Sequence, residues 1–441
     1  MTQIVLVGAG STSFGSGMIL DLVAHAEQLG TATIVLHDVD AAALDTMLSA
    51  ARRLATAAGA AGLRFDATTD LRVALQGAGF VIVSVAVDRL ATWRHDWEIP
   101  RRHGVRQVLG ENGGPGGLSH TLRSVPLMLG VARVIEEVAP EALVLNFTNP
   151  MSRVCLALSR ATRLRVVGLC HQIGAAYRIA GQVLGLVADE HEARERGHWL
   201  HEQLAITAAG LNHLTFIQDM RDAHTGADLY PAFRERLAAM PAGFEPLSRR
   251  IDAAFGLFPA TGDGHAGEYL SFAWETSPLT GYDFTGRAEH AAAQRAQFEA
   301  VARGQAPVAP YLGRQSGERA VQIICATLGD RRSYELAVNV PNHGSLAGLP
   351  DWAIVEVPAV VGAAGVTPLR IAPLPAGITA LLAQQVAVQD RAVAAALHGD
   401  RQAALQALLL DPVVDSHATA TALLDELLGV HAAYLPQFAR A

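Results

Sequence analysis

The chain has 441 residues, of which 50% are hydrophobic and 17% charged, so a disordered protein is excluded and two packed domains are expected. A formal net charge of −8 without a basic stripe argues against a nucleic acid as partner. The three cysteines cannot all pair, and the apolar run from Ile4 to Val7 is far shorter than a secretion signal or a membrane span, so we expect a cytoplasmic protein without a membrane partner.

The first elements along the chain are predicted to be a strand, a tight turn, a helix and a second strand. The first apolar run ends in Gly8-Ala9-Gly10-Ser11, and a helical pattern follows from about Gly15 to Leu29. A second apolar run, Ala32 to Leu36, leads to Asp38, about 30 residues after the first strand begins, as in a dinucleotide-binding unit. This spacing predicts a βαβ unit.

The turn of this unit carries the residues that we predict to bind NAD. Gly8 and Gly10 permit the tight turn and the close approach of a pyrophosphate to the helix N-terminus, with Ser11 completing the turn. Asp38 is placed to accept hydrogen bonds from the adenosine ribose and to repel a 2′-phosphate, which favours NAD over NADP. The alternative is a doubly wound domain that binds no nucleotide.

The remaining pattern predicts an α/β fold, a Rossmann-type doubly wound parallel sheet plus a mixed α+β C-terminal domain, in the manner of lactate and malate dehydrogenases. We place the boundary between residues 1–172 and residues 173–441. The tail, about residues 377–433, has helical periodicity and is expected to pack as a helical layer, with contacts between subunits as one possibility. Further strands are predicted at residues 63–65, 80–85, 142–146, 164–168, 204–208, 334–340 and 353–357.

Two polar segments follow strands at the carboxyl edge of the predicted sheet, where doubly wound folds bind ligands. Asn149 is placed to contact cofactor or substrate, although it could instead cap the next helix. Cys170 and His171 put a thiol and an imidazole at the same edge, although a buried cysteine is the more usual reading. The glycine-rich segment 110–117 is typical of a loop whose backbone approaches a ligand.

The second half of the sequence supplies further candidates. Asn212 and His213 follow a strand, and an imidazole together with the Cys170 thiolate would suit a divalent transition metal. A segment from Thr261 to Tyr269 concentrates titratable side chains and is typical of a general acid/base site, with helix capping as the alternative.

In this order the segments resemble the family 4 glycoside hydrolases, over about residues 3 to 430. No single motif is decisive, but six in the right order make a chance match improbable. The segments that carry the resemblance are Gly8-Ala9-Gly10-Ser11, Gly114-Pro115-Gly116-Gly117, Thr148-Asn149-Pro150, Gly168-Leu169-Cys170-His171, Gly210-Leu211-Asn212-His213, and Asn339-Val340-Pro341-Asn342 with Val355-Glu356-Val357-Pro358.

The resemblance implies an N-terminal NAD-binding domain and a C-terminal domain that binds substrate and metal and forms a homodimer or homotetramer. By the same resemblance, Cys170 and His213 hold a divalent metal, usually manganese. The residues implied to contact substrate are Asn149, His171 and Asn212. The implied base is Asp263 first and Tyr269 second.

The implied reaction is glycoside cleavage through NAD-dependent oxidation at C3, metal-assisted removal of the C2 proton, elimination, hydration and return of the hydride. His171, directly after the metal cysteine, resembles the members that take unphosphorylated α-hexosides or hexuronides, whereas Gln172 leaves the exact sugar open. The alternative is an NAD-dependent dehydrogenase of a 2-hydroxy acid or sugar, of the malate/lactate type, whose signature histidine motif is not found.

Overall fold

In the computed structural model, residues 2–12, 14–277, 279 and 282–439 are described, except for the side chain of residue 198. The first half alternates strands and helices, as the sequence predicts. Its elements are β1 (Thr2–Val7), α1 (Gly15–Ala24), α2 (Ala26–Leu29), β2 (Ala32–His37), α3 (Ala41–Ala57), β3 (Leu63–Thr68), α4 (Leu71–Leu75), β4 (Phe80–Val83), α5 (Arg89–Arg102), α6 (Gly114–Val138), β5 (Leu143–Asn146), α7 (Met151–Ala161) and β6 (Arg165–Gly168).

Six strands of this half form a parallel sheet in the order β3-β2-β1-β4-β5-β6. Strand β1 shows why the sheet is covered on both faces. Ile4 and Leu6 point into one hydrophobic core, and Val5 and Val7 point into another on the opposite face. The predicted doubly wound Rossmann-type sheet is confirmed.

The second half mixes antiparallel strands with helices. Its elements are α8 (Ile173–Val183), α9 (Glu190–Glu195), α10 (Gly197–Gln203), β7 (Leu204–Leu211), β8 (Leu214–Asp222), α11 (Tyr230–Ala239), α12 (Pro246–Phe255), α13 (Gly262–Ala266), α14 (Phe284–Ala302), α15 (Ala320–Leu328), β9 (Ser333–Pro341), β10 (Ile354–Gly362), β11 (Gly365–Pro368), α16 (Ala376–His398), α17 (Arg401–Leu410) and α18 (His417–Val430).

The antiparallel strands extend the parallel sheet instead of forming a separate one. Strand β9 pairs with β6 through Asn339 and Gly168, and the order continues β9-β10-β7-β8, with β11 on β10. The predicted division at residues 172 and 173 falls where parallel pairing gives way to antiparallel pairing. One hydrophobic core crosses this point, since it contains both Leu145 and Val355.

The tail forms the predicted helices, but its apolar face is covered within the chain. Helix α16 packs against α6 and α7, and Ala392 shares a core with Val125 and Val154. These buried side chains are therefore not an argument for subunit contacts. Among the described residues, none of the helices combines the length and apolarity that crossing a bilayer requires.

Two local differences bear on the site. The predicted helix from Gly15 to Leu29 is interrupted at His25. Helix α5 was not predicted, because its polar composition and the internal Pro100 hide any helical period. This helix carries Arg89 and Trp93 to the cavity described below.

Candidate active site

A groove of about 400 Å³ lies at the carboxyl edge of the parallel sheet, and Gly8, Ser11 and Asp38 line it. The backbone at Gly8 has φ +88°, and a Cβ atom there would lie 2.0 Å from the Ser84 carbonyl oxygen. Only glycine fits such a position. The groove thus has the tight turn that a dinucleotide pyrophosphate requires.

Asp38 is held in place by the glycine turn. Its Oδ2 accepts a hydrogen bond of 2.9 Å from the Gly10 N–H, and its Oδ1 accepts one of 3.1 Å from the Asp40 N–H. Gly10 itself does not line this groove; it fixes the carboxylate that does. Each carboxylate oxygen keeps a further lone pair that can accept from a ribose hydroxyl.

A second cavity of about 410 Å³ adjoins the groove. Five residues line both spaces, so a ligand in one is in reach of a ligand in the other: Phe14, Ser84, Arg89, Phe147 and Asn149. The Asn149 Oδ1 is buried and has no hydrogen-bond partner in the described part of the chain. The structure therefore brings Asn149 to the junction, with an acceptor to offer.

The second cavity contains Cys170, which follows β6, and His213, which follows β7. The Cys170 Sγ lies 3.3 Å from the His213 Nε2. One metal ion bound by both, at about 2.3 Å from sulfur and about 2.1 Å from nitrogen, requires a separation of about 3.1 to 3.6 Å. The pair thus fits a divalent metal, and the backbone of His213 adopts φ +65° to present its ring.

Burial leaves both of these side chains uncharged, so the imidazole can bind a metal directly, whereas the thiol must first lose its proton. Burial, followed by the nearby Glu356 and Glu318, raises the pKa of the Cys170 thiol far above its usual range. Burial lowers the pKa of His213, so its imidazole is neutral, the form that binds metals. A bound cation would favour the thiolate, because it supplies the positive charge that the surroundings lack.

Asn212 does not line the cavity, but its side chain lies within hydrogen-bonding reach of the Cys170 thiol. Its Nδ2 donates to the Glu356 Oε2 at 2.7 Å, and the Asn339 Nδ2 donates to the same oxygen at 2.8 Å. All three side chains are buried, and burial raises the pKa of Glu356. This carboxylate and two amides join β9, β10 and the end of β7 close to Cys170.

His171 lines the cavity beside Cys170. Its Nδ1 lies 2.8 Å from the Glu318 Oε1, and this hydrogen bond is the main reason that the pKa of His171 is raised. The carboxylate therefore orients the ring and favours the imidazolium, which is a proton donor.

The structure does not bring Asp263 or Tyr269 to the cavity. The Asp263 carboxylate accepts hydrogen bonds of 2.8 and 2.7 Å from the Leu247 and Ser248 N–H groups, at the start of α12. Tyr269 is buried in the core, with its hydroxyl 3.4 Å from the Asn212 carbonyl oxygen, and burial raises its pKa well above the usual value. Asp263 therefore caps a helix, which is the alternative stated above for this segment.

The same segment contributes Glu268, which was not singled out in the sequence. Its Oε2 accepts three backbone N–H groups of the glycine-rich loop, from Glu111 and Asn112 at 2.7 Å and from Gly113 at 3.1 Å. Its Oε1 lies 3.1 Å from the His265 Nδ1.

His265 extends from this carboxylate into the cavity, and its ring centroid lies 4.3 Å from that of His213. His213, His265 and Glu268 offer ligand atoms within 4.8 Å of one another. Because both oxygens of Glu268 already accept hydrogen bonds, Cys170 with His213 is the better metal-binding pair.

Several residues that line the cavity were not predicted from the sequence, among them Arg89, Trp93, Tyr282 and Arg287. Arg89 forms an ion pair of 2.6 Å with Glu111. Arg89 and Trp93 lie on the unpredicted helix α5, Tyr282 lies just before α14, and Arg287 lies in the first turn of α14. No motif marks either segment, so only the fold could reveal them.

The sequence of the chain matches known proteins over most of its length. Residues 3–186 match the model of the family 4 glycosyl hydrolases, and residues 208–414 match that of their C-terminal domain. The chain is 34% identical to an alpha-glucosidase of Erwinia rhapontici, over 93% of this chain and 94% of that protein. It is 30% identical to an alpha-galacturonidase of Bacillus subtilis, over 93% of each.

Solved structures share the fold. A 6-phospho-alpha-glucosidase from gut microorganisms, in complex with NAD and Mn²⁺, has a TM-score of 0.84 at 23% identity and covers 99% of each chain. A malate dehydrogenase of Cryptosporidium parvum has a TM-score of 0.54 at 15% identity, over 90% of this chain and 99% of that one. The sequence matches confirm the predicted resemblance, and the chain belongs to family 4 of the glycosyl hydrolases.

Proposed function

We propose that the protein cleaves an unphosphorylated α-hexoside or hexuronide, with NAD and a divalent metal, manganese, as cofactors. The observation that carries this proposal is the Cys170 and His213 pair, 3.3 Å apart in a cavity continuous with the dinucleotide groove. Relatives named alpha-glucosidase and alpha-galacturonidase support the substrate class, and the complex of a structural neighbour with NAD and Mn²⁺ supports the cofactors.

Gly8, Ser11 and Asp38 would hold the dinucleotide, and Cys170 and His213 the metal. When bound, NAD would supply reversible hydride transfer at C3 of the sugar, and the metal would supply Lewis-acid polarisation of the neighbouring sugar oxygens.

Among the titratable side chains that line the cavity, we propose His171, His265 and Tyr282 for proton transfer, because Cys170 and His213 are assigned to the metal and the carboxylates of Glu111 and Glu318 are already paired. His171, hydrogen-bonded to Glu318 and with its pKa raised, is suited to protonate the departing glycosidic oxygen. Asn149 offers its buried Oδ1 to a sugar hydroxyl. For Asp263, whose carboxylate binds the start of α12, we propose a structural role instead of the predicted role as base.

We also propose a cytoplasmic location and a homodimer or homotetramer. The odd number of cysteines supports the location, because Cys155, Cys170 and Cys325 are all free thiols in the structure and the site depends on one of them. The oligomeric state stays a prediction from the family resemblance.

The test is hydrolysis of nitrophenyl α- and β-glucosides, galactosides and uronides, with and without NAD, Mn²⁺ and a thiol reductant. Cleavage should require all three additions and leave no net NADH. Cys170→Ala should abolish cleavage and Mn²⁺ binding but keep NAD binding, whereas the control Cys325→Ala, in α15 away from the cavity, should keep all three. The second candidate function is that of a dehydrogenase, because a malate dehydrogenase shares the fold. Accumulation of NADH from a hydroxy acid or free sugar, without glycoside cleavage, would favour this function.

A further inference from the structure

The charged side chains of the second cavity are almost all paired. Arg89 is paired with Glu111 at 2.6 Å, and Glu318 is paired with His171 at 2.8 Å. Arg287 lines the same cavity, and no carboxylate of the described residues lies within ion-pair distance of its guanidinium.

Aromatic rings hold Arg287 at the cavity wall. Its Cζ lies 5.0 Å from the ring centroid of Tyr282 and 6.0 Å from that of Trp93. Trp93 is buried and donates from its Nε1 to the Leu109 carbonyl oxygen at 3.3 Å, which fixes the ring. Arg287 is exposed at the rim of the cavity, where stacking and a polar contact with the Tyr282 hydroxyl position its guanidinium and leave its remaining N–H donors available to a ligand.

A free guanidinium in a binding cavity is the group that best recognises a carboxylate, because its N–H donors match both oxygens. A phosphate dianion fits less well, because one unpaired guanidinium balances the single charge of a carboxylate but only half the charge of a dianion, and Arg89 is already paired with Glu111. We infer that the sugar is a hexuronide and that Arg287 binds its C6 carboxylate. This inference rests on the proposed function, because it names the substrate of the same site.

The experiment compares nitrophenyl α-glucuronide and α-galacturonide with the matched glucoside and galactoside, using the enzyme loaded with NAD and Mn²⁺. The wild-type enzyme should prefer a uronide. Loss of one charge-assisted contact in Arg287→Gln should lower kcat/KM for the uronide about tenfold to a hundredfold, mainly through KM. The neutral glycoside should change less than about threefold, and Arg287→Lys should restore part of the loss. Arg133→Gln, which removes an exposed guanidinium from α6, is the control.

A second measurement separates this inference from the proposed function. Calorimetry would compare the binding of free galacturonate, glucuronate, galactose and glucose 6-phosphate to wild type and Arg287→Gln. Uronate binding that depends on Arg287 supports the inference, whether or not a glycoside is cleaved. If uronate binds in this way but no glycoside is cleaved, only the glycosidase proposal is overturned. Equal uronate binding by both proteins, a preference for glucose 6-phosphate, or equal loss of uronide and neutral glycoside activity would each overturn the assignment to Arg287.

Discussion

Replacing Glu268 should loosen the glycine-rich loop by an amount that follows from its contacts. Its side chain is fully buried, and one oxygen accepts three backbone N–H groups. Glu268→Ala leaves these donors without partners, at about 1 to 3 kcal/mol each, or about 3 to 9 kcal/mol in total. With an unfolding entropy of about 0.9 kcal/mol per kelvin for a chain of this length, Tm should fall by about 3 to 10 °C.

Glu268→Gln separates the loss of charge from the loss of the acceptor. Its amide oxygen can still face the three N–H groups, so the cost should be about 1 to 3 kcal/mol. Circular dichroism melting of both variants measures the difference. Glu137→Ala is the control, since Glu137 makes an exposed ion pair with Arg72, a kind of pair that contributes little. Equal melting of Glu268→Ala and the control would refute the reasoning.

Two further predictions concern Asp263 and His120. Asp263→Asn should lower Tm slightly and keep kcat within about tenfold, because the carboxylate binds the start of α12; a loss of about a hundredfold or more in kcat at unchanged Tm would restore it as the base. Burial lowers the pKa of His120 from 6.5 to about 4, so the unfolded chain binds this proton first as pH falls. Stability should therefore be lost as pH falls from 6.5 through about 4, and His120→Gln should flatten this dependence in melting curves. The exposed His290→Gln is its control, and parallel curves for wild type and His120→Gln would contradict the prediction.

The sequence allowed prediction of those features that local patterns encode. The turn at Gly8 and the strand ending near Asp38 were predictable because glycine spacing and strand period are local, and residues at the edge of a parallel sheet necessarily meet. Cys170 and His213 were paired by family resemblance, since 43 residues separate them. The sequence could not show which way a side chain points.

The segment from Thr261 to Tyr269 illustrates that last limit. Its composition predicted that this region contributes to the site. Composition does not show which side chain faces the cavity, because successive residues of a helical turn point about 100° apart. His265 therefore faces the cavity while Asp263 faces α12 and Tyr269 faces the core. Arg287 was missed for a related reason: it comes to the cavity through packing of α14 against α5, far away in the sequence.

The position of the proposed metal-binding pair, Cys170 and His213, has a consequence for how the enzyme matures. Cys170 follows the last parallel strand and His213 follows an antiparallel strand, and Asn339 and Glu356, much later in the chain, fix the join between them. A nascent chain that has not yet delivered β9 and β10 therefore cannot hold both ligands in register. On the proposed assignment of the metal ligands, metal uptake would therefore follow the pairing of β9 and β10 with β6 and β7.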